Sequence, residues 1–192
     1  MFYETEMEIA SLCESIKCIA ECATIVVQTL KDMGIIKINA KSVDELGAKI
    51  LEAEAQGITL ESSNNFEDWN GKINTVEVSN PEKYSPEDKD KKAIVYAIEC
   101  ISNKYDVGLS LEAANSFLKN IDYFKNDGKL DYIMRNDPNV NDSLVEYGNY
   151  LDSKVVGQEA DNIREKLIDL EMSVNPNISR QEAIDNIYAH KS

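Results

Sequence analysis

The strongest constraint on the fold is a run of apolar residues spaced three and four positions apart at the start of the chain. With the polar Thr5 as the single exception, its members are Phe2, Thr5, Ile9, Leu12, Ile16, Ile19, Ala23, Val26, Leu30 and Met33. This spacing places the side chains on one face of an α-helix, and Gly34 is suited to end that helix in the left-handed conformation. The sequence therefore predicts a long core helix over residues 2–33, in which Ile16, Ile19, Val26 and Leu30 are buried.

Neighbouring apolar residues make this face broader than the narrow seam of a two-stranded coiled coil. They are Ala20, Cys22, Ile25 and Val27. A core helix is therefore favoured, and self-association of two copies through this helix is the alternative.

Short segments after this helix predict a small mixed β-sheet. Residues 35–39 and 58–61 read as strands, and between them Ser42 and Glu45 have the spacing of a capping box that opens a helix. Residues 66–69 and 72–78 flank an Asn-Gly pair, the strongest short-range signal for a two-residue hairpin turn. A β-hairpin is expected there.

The second half of the chain has the spacing of helices only. Ser85 and Pro86 start one helix, Ser110 starts another, and Ser179 with Glu182 forms a second capping box. Residues 142–172 keep a helical period, within which Gly148 and Gly157 are candidates for a break or a bend. The predicted fold class is thus α+β and mostly α-helical. It comprises an α/β lobe at 1–80, an acidic linker with prolines at 81–90, and an all-α lobe at 91–192.

The net charge excludes several classes of partner. The 192 residues include 20 Lys and Arg against 35 Asp and Glu, which gives a formal charge of −15. Phosphate binding needs clustered cations, so nucleic acid and anionic membrane surfaces are not expected partners. Glutamates at positions 4, 6 and 8 stand where a secretory signal needs basic residues, and the cysteines lack the setting of a disulfide framework. A reducing cytoplasm is the expected location.

The residues that most enzymes use are scarce, so no catalytic residue, metal site or cofactor is predicted. His190 is the single histidine, and the eight glycines form no phosphate-binding motif. One segment partly matches a calcium-binding loop, through Asp68, Asn70, Gly71, Ile73 and Glu77. Its first ligand position is Phe66, so calcium is not expected. Asp161, Glu165 and Asp169 lie four residues apart, as on a solvated helix face.

The densest acidic stretch, residues 61–90, is the candidate for a binding surface and is called the acidic segment below. It contains eight acids against three lysines, together with Trp69 and Tyr84. Aromatic residues anchor interfaces, while charge speeds encounter and sets specificity. The predicted partner-binding residues are Glu67, Asp68, Trp69, Tyr84, Glu87 and Asp88. The alternative is that Trp69 packs into the core and the acids keep the protein soluble.

These observations favour a non-enzymatic protein that binds the basic surface of a protein partner. An inhibitor such as an antitoxin, an immunity protein or a phage anti-defence protein fits this description, because proteins that handle nucleic acids expose basic surfaces. Two alternatives remain open, an enzyme that uses carboxylates with a divalent metal and a self-associating structural protein.

Overall fold

A computed structural model describes residues 19–192, and every regular element in this range is a helix. The ten α-helices are α1 (Ile19–Asp32), α2 (Val43–Ala55), α3 (Phe66–Thr75), α4 (Pro86–Tyr105), α5 (Leu111–Lys119), α6 (Ile121–Phe124), α7 (Lys129–Asn136), α8 (Val140–Leu151), α9 (Gly157–Val174) and α10 (Arg180–Ala189). No strand occurs in residues 19–192, so the predicted α+β class with a mixed sheet and a hairpin is wrong.

The chain divides into two compact units, one ending at Asp106 and one running from Val107 to Ser192. In the first unit, α4 packs against both α1 and α2. In the second unit, α5 packs against α8, and α9 packs against α10. Residues 81–90, the predicted linker, lie within the first unit and include the start of α4. None of the described helices is long and apolar enough to span a membrane.

The described part of the first apolar stripe is buried, as the sequence predicts. Val26 and Leu30 are fully buried, and α1 ends at Gly34 in the left-handed conformation, with φ 66°. The N–H group of Ile35 then donates to the carbonyl of Leu30 at 2.8 Å, which closes the C-terminal turn. The rest of the predicted helix, with Ile16, and the side chain of Ile19 lie outside the described residues.

Neither predicted single strand forms, because other groups take the backbone N–H groups that a sheet would use. In residues 35–39, Ile35 and Ile36 both donate to Leu30, and Asn39 donates to the side chain of Asn74 at 2.8 Å. In residues 58–61, Thr59 donates to the hydroxyl of Ser62 at 2.8 Å. Serine hydroxyls offer the backbone such local alternatives to a ladder.

Most of the residues predicted to form the hairpin, 66–78, form the helix α3 instead. Asn65 caps it by accepting the N–H of Asp68 at 2.8 Å, and Asp68 pairs with Lys72 one turn later at 2.8 Å. Trp69 and Ile73 are four residues apart on the buried face of this helix. The Asn-Gly pair is therefore in the middle of a helix, where the side chain of Asn70 accepts a hydrogen bond from Tyr96 at 2.6 Å.

The helix starts follow the sequence closely. Ser85, Ser110 and Ser179 each cap a helix with their hydroxyl groups, and Ser179 with Glu182 forms the full capping box. Ser42 also caps α2, but the carboxylate of Glu45 accepts from the N–H of Lys41 instead of that of Ser42. The second half of the chain is all helical, as predicted.

Gly148 does not interrupt the helix, whereas Gly157 marks a helix start. A Cβ at Gly148 would lie 1.8 Å from the hydroxyl oxygen of Ser116, so the glycine lets α8 approach α5. Gly157 has φ 63° and is the first residue of α9, which follows the non-helical residues 152–156.

Candidate functional site

The predicted partner-binding residues form two separate groups. Glu67, Asp68 and Trp69 lie in the first turn of α3, whereas Tyr84, Glu87 and Asp88 lie at the start of α4. Trp69 contacts Tyr96, which is nine residues beyond Glu87 on α4. At about 1.5 Å of rise per residue, the two groups are about 14 Å apart along this helix. They do not converge on one point.

Trp69 is part of the core and is not an exposed anchor. It is 4% exposed, and its ring lies 5.6 Å from that of Phe66 and 5.5 Å from that of Tyr96. These three rings attach α3 to α4. The structure therefore supports the alternative that Trp69 packs into the core.

Asp68, Glu87 and Asp88 are exposed or half-buried, and each has a local partner. Asp68 pairs with Lys72 and accepts the N–H of Asn64 at 2.9 Å, and these contacts lower the pKa of its carboxyl, Lys72 most of all. Glu87 pairs with Lys91 at 2.9 Å, one helical turn away. Asp88 accepts from the hydroxyl of Ser85 at 2.6 Å. Acids in the first turn also complement the helix dipole.

Tyr84 is half-buried and is held against α2. Its hydroxyl donates to the carboxylate of Glu52 at 3.1 Å, and the ammonium of Lys83 lies 4.7 Å from the centre of its ring. Glu52 also pairs with Lys83 at 2.7 Å, and this contact is the main reason that the pKa of Glu52 is lowered. Tyr84 thus belongs to a small local network.

Four other carboxylates of the acidic segment are exposed and form no ion pair with any residue in 19–192. They are Glu61, Glu67, Glu77 and Glu82. Glu67 also lines a groove of about 500 Å³ beside Phe66, Lys37 and Lys104. We call these four residues the unpaired glutamates.

The acidic residues of the described range show no arrangement suited to a metal ion. Within residues 19–192, no three His, Cys, Asp or Glu side chains are close enough to share one. Most residues of the partial calcium-loop match lie on the helix α3, so they follow a helix and do not form a loop. On α9, Asp161, Glu165 and Asp169 are all exposed, and Glu165 pairs with Arg180 at 2.5 Å.

The second unit contains a buried ion pair that the sequence analysis missed. The ammonium of Lys129 lies 3.2 Å from Oε1 of Glu171, and these residues are 2% and 1% exposed. The same ammonium lies 4.8 Å from the ring centre of Tyr123, which His190 contacts edge-on at 5.5 Å. Burial, followed by the charge of Glu171, raises the pKa of Tyr123, so its hydroxyl stays protonated.

The sequence did hold a signal for this pair. Lys129 is four residues before the buried Ile133 on α7, and Glu171 is four residues after the buried Leu167 on α9. Each charge therefore continues the apolar face of its helix. A charge on the buried face of a helix needs a partner of opposite charge, but the pattern does not identify which residue that partner is.

A second missed feature is a pocket on the surface of the second unit, which we call the Tyr132 pocket. It measures about 280 Å³ and lies between α7 and α9. Tyr132, 37% exposed, and Tyr147 supply aromatic rings, while Asp137 and Asp169 supply carboxylates. Ile133, Leu170 and Pro138 add apolar surface. An exposed aromatic residue beside acids was expected from the sequence at Trp69, and the Tyr132 pocket has this combination instead.

Comparison with protein families, curated proteins and solved structures finds no match to this chain.

Proposed function

We propose that this protein binds a protein partner with a basic surface and inhibits it by covering that surface. The observation that carries the proposal is the set of unpaired glutamates. Their charge is not neutralised within the described structure, so it is available to a cationic partner. Long-range attraction of this kind accelerates association and orients the partner.

The arrangement of charge within the acidic segment supports this role. Asp68 and Glu87 are in ion pairs, Asp88 accepts from Ser85, and Asp90 is half-buried. Glu61, Glu67 and Glu77, in contrast, have no ion-pair partner in residues 19–192, and they occur before, on and after the single short helix α3. Because α3 has ten residues and so is about 15 Å long, these charges are spread over a surface of protein-interface dimensions. Of the six residues predicted from the sequence, Glu67 is thus the one central to the proposed surface.

The proposed setting is the cytoplasm. It is supported by Cys100, which is a buried thiol outside any disulfide, and by an overall charge of −15 that suits a soluble inhibitor.

The proposal is tested by replacing Glu61, Glu67, Glu77 and Glu82 with glutamine. The immobilised wild-type protein and variant are used to capture partners from a lysate of the source cell at low and at high salt, and the captured protein is then purified. We expect the variant to associate with it at least about tenfold more slowly at low salt, with little salt dependence.

A matched control carries four amide replacements in the second unit, at the exposed Glu112, Asp142, Glu159 and Asp185. It makes the same change in net charge and should bind nearly as fast as the wild type. Equal slowing of both variants would show that only total charge matters and would refute the proposed surface. Circular dichroism confirms that both variants fold.

A further inference from the structure

We propose that the Tyr132 pocket binds a guanidinium group, either of an arginine side chain in a protein or of a small guanidinium compound. This proposal does not rest on the function proposed above, because the pocket belongs to the second unit and contains no residue of the acidic segment.

The aromatic rings of the pocket provide the first argument. Tyr132 is one of only four large apolar residues that are exposed in residues 19–192. Tyr147, across the pocket, is 7% exposed, and together with the buried Ile133 and Leu170 it offers a fixed apolar surface. A flat cation stacks on such rings, and its alkyl stem can cover the apolar residues.

The carboxylates provide the second argument. Asp169 is exposed and has no partner among the described residues, and Asp137 accepts one hydrogen bond, from the N–H of Asn139 at 2.8 Å. The cation that lines the pocket, Lys166, is neutralised by Glu146 at 2.5 Å. Two carboxylates therefore remain to receive a positively charged ligand.

The negative field of these acids is evident at Tyr147. Burial, followed by the charges of Asp137, Glu146 and Asp169, raises the pKa of Tyr147 to about 12. The acids that act on Tyr147 thus come from three elements: the end of α7, helix α8 and helix α9.

Guanidinium fits this arrangement better than ammonium. It is planar, so it stacks on a tyrosine ring, and its five N–H groups can reach two carboxylates at once. An ammonium is compact and more strongly hydrated, so it gains less from the rings. A volume of about 280 Å³ accommodates one such side chain and excludes a folded segment.

The test is a titration of the full-length protein with agmatine, followed by the same titration with a short neutral-flanked peptide that contains one arginine. Binding is measured by calorimetry and by amide NMR shifts. We expect shifts at Tyr132, Asp137 and Asp169, and at least about threefold weaker binding of 1,5-diaminopentane or of the lysine peptide. Tighter binding of the arginine peptide than of agmatine assigns the site to a protein partner, and the reverse assigns it to a small molecule.

Variants make the proposal falsifiable at the level of residues. Asp137→Asn with Asp169→Asn should weaken agmatine binding about tenfold or more, and Tyr132→Ala should weaken it, whereas Tyr132→Phe should retain it. Asp142→Asn with Asp185→Asn is the control with the same charge change. Asp169→Asn alone is the second variant if the double variant unfolds, since Asp169 has no described partner.

Two outcomes would overturn the proposal. One is equal binding by the pocket variant and its control, and the other is equal affinity for the guanidinium and ammonium ligands. Neither outcome bears on the unpaired glutamates, whose test uses a different variant and a different unit.

Discussion

Lys129 and Glu171 form an ion pair at 3.2 Å in which both residues are almost fully buried. Asp127, 3.5 Å from the same ammonium, is the second carboxylate near it. The pair connects α7 to α9 in the second unit, and because both side chains are buried we assign it a structural role.

Removing one member of this pair is expected to destabilise the second unit. Glu171→Gln or Lys129→Met should each lower the free energy of unfolding by about 3–5 kcal/mol. The first leaves the buried Lys129 with Asp127 alone, at 3.5 Å, and the second leaves the carboxylate of Glu171 buried without its cation. The double replacement Lys129→Met with Glu171→Gln should cost less than the sum of the two single changes. Urea unfolding of the three variants measures this, and additive losses would show that the two charges are not coupled.

Replacing Gly47 or Gly71, two glycines of the first unit, with alanine should have opposite effects on stability. A Cβ at Gly47 would lie 2.1 Å from the backbone oxygen of Lys89, whereas a Cβ at Gly71 meets nothing within 4 Å. Gly47→Ala should therefore force α2 and α4 apart and cost about 1–3 kcal/mol or more. Gly71→Ala should stabilise α3 by about 0.5–1 kcal/mol, since alanine is the better helix former. Thermal unfolding checks both, and a loss of stability in both variants would contradict the helical α3.

Trp69 is expected to affect folding more than binding. Trp69→Ala removes the ring that contacts both Phe66 and Tyr96 and should cost about 3–5 kcal/mol of unfolding free energy. Trp69→Phe keeps an aromatic ring at this position and should cost less. Chemical denaturation followed by circular dichroism measures both losses. A stable Trp69→Ala protein would mean that the tryptophan is exposed after all.

Alkaline pH should weaken the fold partly through Tyr147. Burial, followed by the charge of Asp137, raises its pKa from the ordinary 10.0 to about 12, so the unfolded chain loses this proton at lower pH than the folded protein. The stabilisation is complete below pH 10.0 and is lost as the pH rises towards about 12. Tyr147→Phe should therefore show a shallower decline in unfolding free energy above pH 10.0 than the wild type. The exposed Tyr132→Phe is the control, and identical slopes in all three proteins would contradict the assignment.

Much of the helical structure could be predicted from local sequence. Capping serines such as Ser85 and Ser179 carry their signal in three or four neighbouring residues, and the buried stripe through Val26 and Leu30 repeats every turn. These features depend only on backbone geometry and on the separation of apolar from polar residues. For that reason the all-helical second half was predicted correctly.

The Tyr132 pocket and the buried ion pair depend on contacts between distant residues, and the sequence analysis did not find them. Tyr132 and Asp169 are 37 positions apart, and Lys129 and Glu171 are 42 positions apart, as the residue numbers show. Only helix packing brings each pair together, and no local pattern encodes the distance between the helices.

The sequence by itself determined where the four helices with serine caps begin, which face of the first helix is buried and that the chain is strongly acidic. The tertiary structure alone decided the conformation of residues 66–75. Asn70-Gly71 favours a tight turn locally, yet Phe66, Trp69 and Ile73 pack as a helical face, and Tyr96 takes the Asn70 side chain as a hydrogen-bond partner. Burial of Trp69 and Ile73, with Phe66 half-buried beside them, is worth several kcal/mol. A glycine within a helix costs about 1 kcal/mol, so packing overrides the turn preference.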